Sequence, residues 1–184
     1  KQLGTMLKTK KLSPIPLWLQ DPELQTLFKI LNARLVGGSV RETLLGHPID
    51  DFDLATPLQP EDVIQILKKN NFKAIPTGLK HGTITALGKY HPYEITTLRR
   101  DIETFGRHAK ISYTDSWEED ALRRDFTFNA LYCDADGLIY DYTNGLFDLE
   151  TKTLRFIGDP YKRINEDYLR ILRYFRFLSQ YHGP

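Results

Sequence analysis

Three carboxylates stand together in "GHPIDDFDLAT", residues 46–56: Asp50, Asp51 and Asp53. Gly46 and Pro48 break the chain before them, and Phe52, Leu54 and Ala55 give the stretch 52–56 the apolar character of a strand. Side chains two apart on a strand share a face, roughly 6.5–7 Å from each other. Two carboxylates so placed repel unless a cation lies between them, and burying an unpaired charge is costly. Hard divalent ions such as Mg2+ take carboxylate oxygens, and two such ions can activate an attacking oxygen and steady a leaving phosphate. Glu94, in "PYEITTL", interrupts apolar and β-branched residues and is the candidate third acid. The set is a candidate site for metal-assisted phosphoryl transfer, with Asp51, Asp53 and Glu94 as candidate catalytic acids and Asp51 and Asp53 as candidate metal ligands. The plain alternative is a strand end solvated by its acids. An aspartyl-phosphate pattern, D-x-D-x-T, is set aside because Ala55 occupies the threonine position.

Three further stretches carry groups suited to a nucleotide. In "RLVGGSVRETLLG", residues 34–46, a short apolar strand meets Gly37 and Gly38, and a helix comes next with Ser39 as candidate N-cap. Glycines let a backbone approach a ligand closely, and Arg41 in the first turn can reach a phosphate. In "EEDALRRDFTFNAL", residues 118–131, Arg123, Arg124, Asp125 and Asn129 crowd a segment whose Phe126, Phe128 and Leu131 look buried; taken alone, these are ordinary ion pairs at a helix break. In "RINEDYLRILRYFRF", residues 163–177, Glu166, Asp167, Arg170, Arg173 and Arg176 interrupt a mostly apolar and aromatic run, spaced to follow one stripe of a helix. Helix ion pairs such as Glu166–Arg170 account for part of it at only ~0.3–0.5 kcal/mol each. The excess of arginine suits a nucleotide.

The elements that must position these groups mix without a strict βαβ repeat, so the fold class is α+β. Apolar spacing and start signals predict helices at 22–31, 39–45, 60–70, 116–123 and 126–131, and a long one from 162. Strands are expected at 34–37, 52–56, 72–76, 82–88, 92–98, 131–134, 138–141 and 153–157. The tetrapeptide "LRRD" occurs at 98–101 and 122–125 and is read as coincidence. A change of composition near "GDPYKR" divides the chain into an N-terminal extension (1–20), a head domain (21–157) and the beginning of an all-helical segment (158–184). Met6 is a candidate natural start, and the end just after a helical run is read as a truncation. The 184 residues carry a net charge of +1, so any nucleic-acid contact must come from a local patch. The lone cysteine, Cys133, excludes an internal disulfide and fits a reducing, cytoplasmic compartment. No apolar run approaches membrane-spanning length.

Taken in order, "LVGGSVRETLLG", "DDFDLAT", "YEITTLRRD", "RRDFTFNAL" and "NEDYLRILR" closely resemble the class II CCA-adding enzymes (tRNA nucleotidyltransferases) and the related bacterial poly(A) polymerases, from about Arg34 to about Phe177. The resemblance implies a polymerase-beta-like nucleotidyltransferase head, a mixed β-sheet flanked by helices, followed by the start of a helical neck. It places Asp51 and Asp53 as Mg2+ ligands and Glu94 as the third carboxylate. Gly37, Gly38 and Arg41 fall on the phosphate-binding turn, Arg124 and Asp125 on the ribose and triphosphate motif, and Asp167, Arg170, Arg173 and Arg176 on the nucleotide-binding helix. Glu42 stands where aspartate is usual, and Asp50 where lysine is common. The implied reaction is CCA addition from CTP and ATP to the 3′ end of tRNA. An ATP-specific poly(A) polymerase or A-adding enzyme shares every motif, and a non-catalytic RNA- or nucleotide-binding module is the reading from another class. Cytosine and adenine both offer an amino donor beside a ring acceptor, so an acceptor–donor pair such as Asp167 with Arg170 suits C and A and rejects U and G.

Overall fold

A computed structural model describes residues 6–101, 111–167 and 169–181. The chain runs β1 (Lys8–Lys11), α1 (Pro22–Leu31), β2 (Arg34–Val36), α2 (Gly38–Leu44), β3 (Phe52–Thr56), α3 (Pro60–Lys69), β4 (Lys73–Gly78), β5 (Thr83–Leu87), β6 (Pro92–Thr97) and β7 (Arg99–Asp101). It continues through β8 (Ile111–Tyr113), α4 (Trp117–Leu122), β9 (Leu131–Cys133), β10 (Leu138–Asp141), α5 (Gly145–Glu150), α6 (Pro160–Glu166) and α7 (Leu169–Tyr181). Eight strands form one mixed sheet in the order β1-β10-β9-β2-β3-β6-β5-β4, and β7 pairs with β8 apart from it. Among the paired strands of the large sheet, β3 and β6 run parallel and the others antiparallel.

Alternation along the strands gives the sheet two unlike faces. Leu35, Leu54, Ile84, Ile95, Leu131 and Ile139 form one core with Leu24, Leu27 and Leu31 of α1 and Val63 and Leu67 of α3. α1 is well specified locally: Asp21 accepts from the N–H groups of Glu23 and Leu24, Pro22 opens the first turn, and Asn32 closes the helix in a left-handed conformation. On the opposite face a smaller core gathers Val36, Ala55, Tyr132 and Ala121 of α4, which covers only part of the sheet. The uncovered part carries Asp53 and Glu94.

Several elements differ from expectation. The helix expected at 126–131 is one 3-10 turn, Thr127–Asn129, because Thr127 is tied to its surroundings: its N–H donates to Arg155 O and its hydroxyl to Asp148. The strand expected at 153–157 supplies only the bridge between Phe156 and Phe126. The single helix expected from 162 is two helices, broken at Asp167, whose backbone is extended (φ −154°, ψ 103°). β1, β7, β8 and α5 lie outside the expected elements; β1 pairs with β10, and Leu12 and Leu19 after it are buried. Cys133 is buried in β9, and burial pushes its thiol up to about 12, so it is a core residue and not a nucleophile. Among the described residues no helix is long and apolar enough to cross a membrane.

Candidate active site

The break between β2 and α2 is made by Gly37, whose φ of 78° and ψ of −136° suit glycine alone. Ser39 does not cap α2. It lies inside the helix and donates to Asp51 O at 2.8 Å, fastening the start of β3 to the Gly37–Gly38 turn. This bond sets the carboxylates beside the glycines. Asp53 on β3 faces Glu94 on β6 in parallel register, and their carboxyl groups are close enough to interact. Burial, then Glu94 and Asp51, push Asp53 up to about 6, while Arg124 pulls the other way. Asp53 and Glu94 thus place carboxyl oxygens side by side against their own repulsion, the kind of donor that a hard divalent cation suits. Asp51 is exposed at the mouth of β3. Among the described residues no three His, Cys, Asp or Glu side chains converge into a ready-made metal cage.

Asp53 and Glu94 line a cleft of about 250 Å3 together with Gly37, His81, Thr83, Thr96, Arg99, Arg123 and Arg124, among others. Behind the arginines lies Asp120, which is 1% exposed. It accepts from Arg123 at 3.1 Å, Arg124 at 3.1 Å, the Tyr132 hydroxyl at 2.6 Å and the Arg99 N–H at 3.1 Å. Burial alone would raise Asp120, but Arg124, Arg123 and these hydrogen bonds hold it below the usual carboxylate range. The two "LRRD" stretches therefore meet at one carboxylate, and the first brings Arg99 to the cleft and the second Arg123 and Arg124. Arg99, Asp120 and His81 were absent from the sequence-based expectation, and Arg123 had no role in it. The recurrence of Leu-Arg-Arg-Asp was the signal that could have found the arginines. A larger cavity, about 600 Å3, opens beside α1 and Asp134–Asp136 and holds none of the candidate residues. Arg34 at its edge is occupied by the rings of Trp117 and Tyr140, 4.2 and 3.7 Å from its guanidinium carbon.

The remaining candidates form a second cluster, where α7 meets the head. Arg41 is buried. It donates to Glu42 at 2.9 Å and to Asn129 at 2.5 Å, and it lies 4.8 Å from the ring of Phe177. Its Nη2 is also 3.4 Å from the point a Cβ on Gly38 would occupy, so the guanidinium covers that turn. Asp125 pairs with Arg173 at 3.0 Å, and Asp167 stands 3.8 Å from Arg173. Asp167 is not on one helix face with Arg170: it sits at the break and its Oδ1 accepts from Leu169 N at 3.0 Å. Arg170 donates to Arg163 O at 2.7 Å, and Arg176 is exposed with its guanidinium 5.2 Å from the Phe177 ring. Arg163 of α6 donates to the carbonyls of Leu122 and Arg123 at 2.5 and 3.2 Å, holding the end of α4 that carries the cleft arginines. Gly37, Asp53, Glu94 and Arg124 thus share the cleft, while Arg41, Asp125, Asp167, Arg170, Arg173 and Arg176 lie outside its lining.

A mixed sheet with paired carboxylates beside a glycine turn, faced by a wall of arginines, defines a polymerase-beta-like nucleotidyltransferase head. Residues 33–155 match the Poly A polymerase head domain model, and the chain belongs to that family. It is 44% identical over 176 residues to human mitochondrial CCA tRNA nucleotidyltransferase 1, covering 88% of this chain and 41% of that protein. The structure of the Bacillus stearothermophilus CCA-adding enzyme in complex with CTP is similar with a TM-score of 0.73 and 39% identity, over 86% of this chain and 40% of that one. A tRNA nucleotidyltransferase complexed with a primer tRNA and an incoming ATP analog is similar with a TM-score of 0.65 and 30% identity, over 84% and 44%. The chain spans about two fifths of the length of these relatives.

Proposed function

We propose that the protein adds CMP and AMP from CTP and ATP to the 3′-hydroxyl of tRNA, without a template, in the cytoplasm. The observation that carries this reading is the cleft: Asp53 and Glu94 in contact beside the Gly37 turn, with Arg99, Arg123 and Arg124 along the wall. The names of the relatives, and the CTP and primer tRNA bound in solved neighbours, support the choice of nucleotide and acceptor. Asp51, Asp53 and Glu94 would hold Mg2+, which when bound supplies Lewis-acid stabilisation of charge at the reacting phosphate.

The chain's own groups do the positioning. Gly37 and Gly38 let the backbone approach the triphosphate, Arg41 lies over that turn, and Arg124 offsets the polyphosphate charge from the opposite side. The 3′-oxygen attacks the α-phosphorus and loses its proton to water, a new P–O bond forms, the bond to the bridging oxygen breaks, and pyrophosphate leaves. No covalent intermediate is required, because positioning and charge stabilisation carry such reactions. Asp167, at the break before α7, and Arg170, in the first turn of α7, read the Watson–Crick edge of C or A, while Asp125, Arg173 and Arg176 set that helix against the head and the nucleotide. Residues 21–157 form the head and 158–184 open a helical neck. The exposed Leu169, Leu172 and Phe175, spaced along one side of α7, support the neck reading.

The family description also fits an ATP-only poly(A) polymerase or A-adding enzyme. A non-catalytic binding module is disfavoured, since binding alone gives no reason to keep Asp53 and Glu94 in costly contact. Incubating the full-length protein with tRNA lacking CCA, tRNA ending in CC and a poly(A) primer separates these. The expected products are CCA on the first, a single A on the second and no tail on the third. Addition of AMP alone to all three establishes the second reading, and no addition to any establishes the third.

A further inference from the structure

The cleft runs across the sheet from the Gly37 turn at one end to His81 and Thr83 at the other, with Asp53, Glu94 and Thr96 between them. The sheet order sets this sequence. Gly37 follows β2, Asp53 is on β3, Glu94 and Thr96 are on β6, and Thr83 is on β5 beyond them. Thr83 and Thr96 are directly paired across β5 and β6, and their hydroxyls are 2.9 Å apart. Both are half-buried at the cleft. The turn carrying His81 is fixed: Thr97 N donates to Gly82 O at 3.1 Å, and Gly82 packs so closely on Tyr113 that a Cβ there would lie 2.8 Å from the ring.

We infer that Thr83, Thr96 and His81 form the subsite for the terminal ribose of the accepting RNA strand, and that it reads the 2′-hydroxyl. This rests on the nucleotidyl transfer proposed above. In an in-line displacement the attacking and leaving oxygens lie on opposite sides of the phosphorus. Polyphosphate belongs with the Gly37 turn and Arg124, so the accepting hydroxyl enters from the far end of the cleft, where Thr83 and Thr96 lie. That end offers uncharged donors and acceptors. Two threonine hydroxyls bonded to each other use one O–H between them, leaving one O–H and three lone pairs for a ligand. Such a pair can both donate to and accept from a vicinal diol, which deoxyribose lacks. The 2′-hydroxyl is what distinguishes RNA from DNA at such a position.

The test uses the full-length protein, CTP, and tRNA lacking CCA whose last nucleotide is ribo, 2′-deoxy or 2′-O-methyl. The wild type is expected to extend the ribo end at least roughly tenfold more efficiently in kcat/KM than either modified end, the scale of a buried polar group left unpaired. Thr83→Val with Thr96→Val keeps side-chain shape and removes both hydroxyls; in it the rates on ribo and deoxy ends converge, with KM for CTP unchanged. Thr83→Ser with Thr96→Ser restores the preference. The inference is overturned if the wild type extends all three ends equally, a result that needs no variant to fold. It is also overturned if the valine variant keeps the full preference, or if KM for CTP rises while the preference stays. Failure of the wild type to extend any end removes the proposed transfer itself, a different result from extension without discrimination.

Discussion

Asp53→Asn abolishes nucleotide incorporation by the full-length protein, lowering kcat by about a thousandfold or more, and leaves the fold intact. The size comes from the loss of a charged ligand at the reacting phosphate, where charge stabilisation contributes several kcal/mol and each ~1.4 kcal/mol is a factor of ten. The intact fold comes from the carboxyl pair. Burial and the neighbouring Glu94 raise Asp53 to about 6. A carboxyl group raised on folding opposes the folded state in full above that value, and the penalty fades as pH falls toward the unfolded value of about 3.9. Asparagine keeps a hydrogen-bonding group next to Glu94 without the second charge. In metal-free buffer at pH 8 the variant therefore melts at or above the wild-type temperature, and the difference narrows as pH is lowered to about 4. A scanning calorimetry pair at the two pH values, run beside single-turnover incorporation, checks both halves. Undiminished turnover, or a collapse of the fold at pH 8, contradicts the account.

Asp120→Ala has the larger effect on stability. Its removal leaves Arg123 and Arg124 facing each other without their shared carboxylate, and it strips the Tyr132 hydroxyl and the Arg99 N–H of their acceptor. Breaking a buried charge pair from one side costs about 3–5 kcal/mol. Asp120 is held below the ordinary carboxylate range on folding, so its contribution is complete above the unfolded value near 3.9 and is lost as pH falls through the folded one. The gap between wild type and Asp120→Asn in urea melts is therefore wide at pH 7 and narrows below about pH 4. A gap that does not change with pH shows that Asp120 acts by shape and not by charge.

Where local rules and tertiary packing agree, the sequence was a good guide. Helix 22–31 and the strands at 52–56 and 138–141 carry their own caps, breaks and alternation, and they lie as expected. Where a side chain just outside an element decides its conformation, it was not. α5 is held by Asp141, whose carboxylate accepts from Gly145 N and Leu146 N across a turn. The break at Asp167 has no proline or glycine to announce it; an aspartate that caps the next helix interrupts an unbroken helical pattern. The carboxylates and the glycine turn were legible because their chemistry is local to short motifs. Asp120 looked like one more acid of a first helical turn. Its burial against three arginines comes from the folding of α4 onto Tyr132, which spacing cannot show.

The most direct measurement is a crystal structure of the full-length protein with Mg2+ and a non-hydrolysable CTP analogue. The account predicts the α-phosphate beside Asp53 and Glu94, the β- and γ-phosphates against Gly37, Gly38 and the Arg124 side of the cleft, and the cation on Asp51 and Asp53. A triphosphate bound elsewhere, with Asp53 and Glu94 still paired to each other and bare of metal, contradicts it.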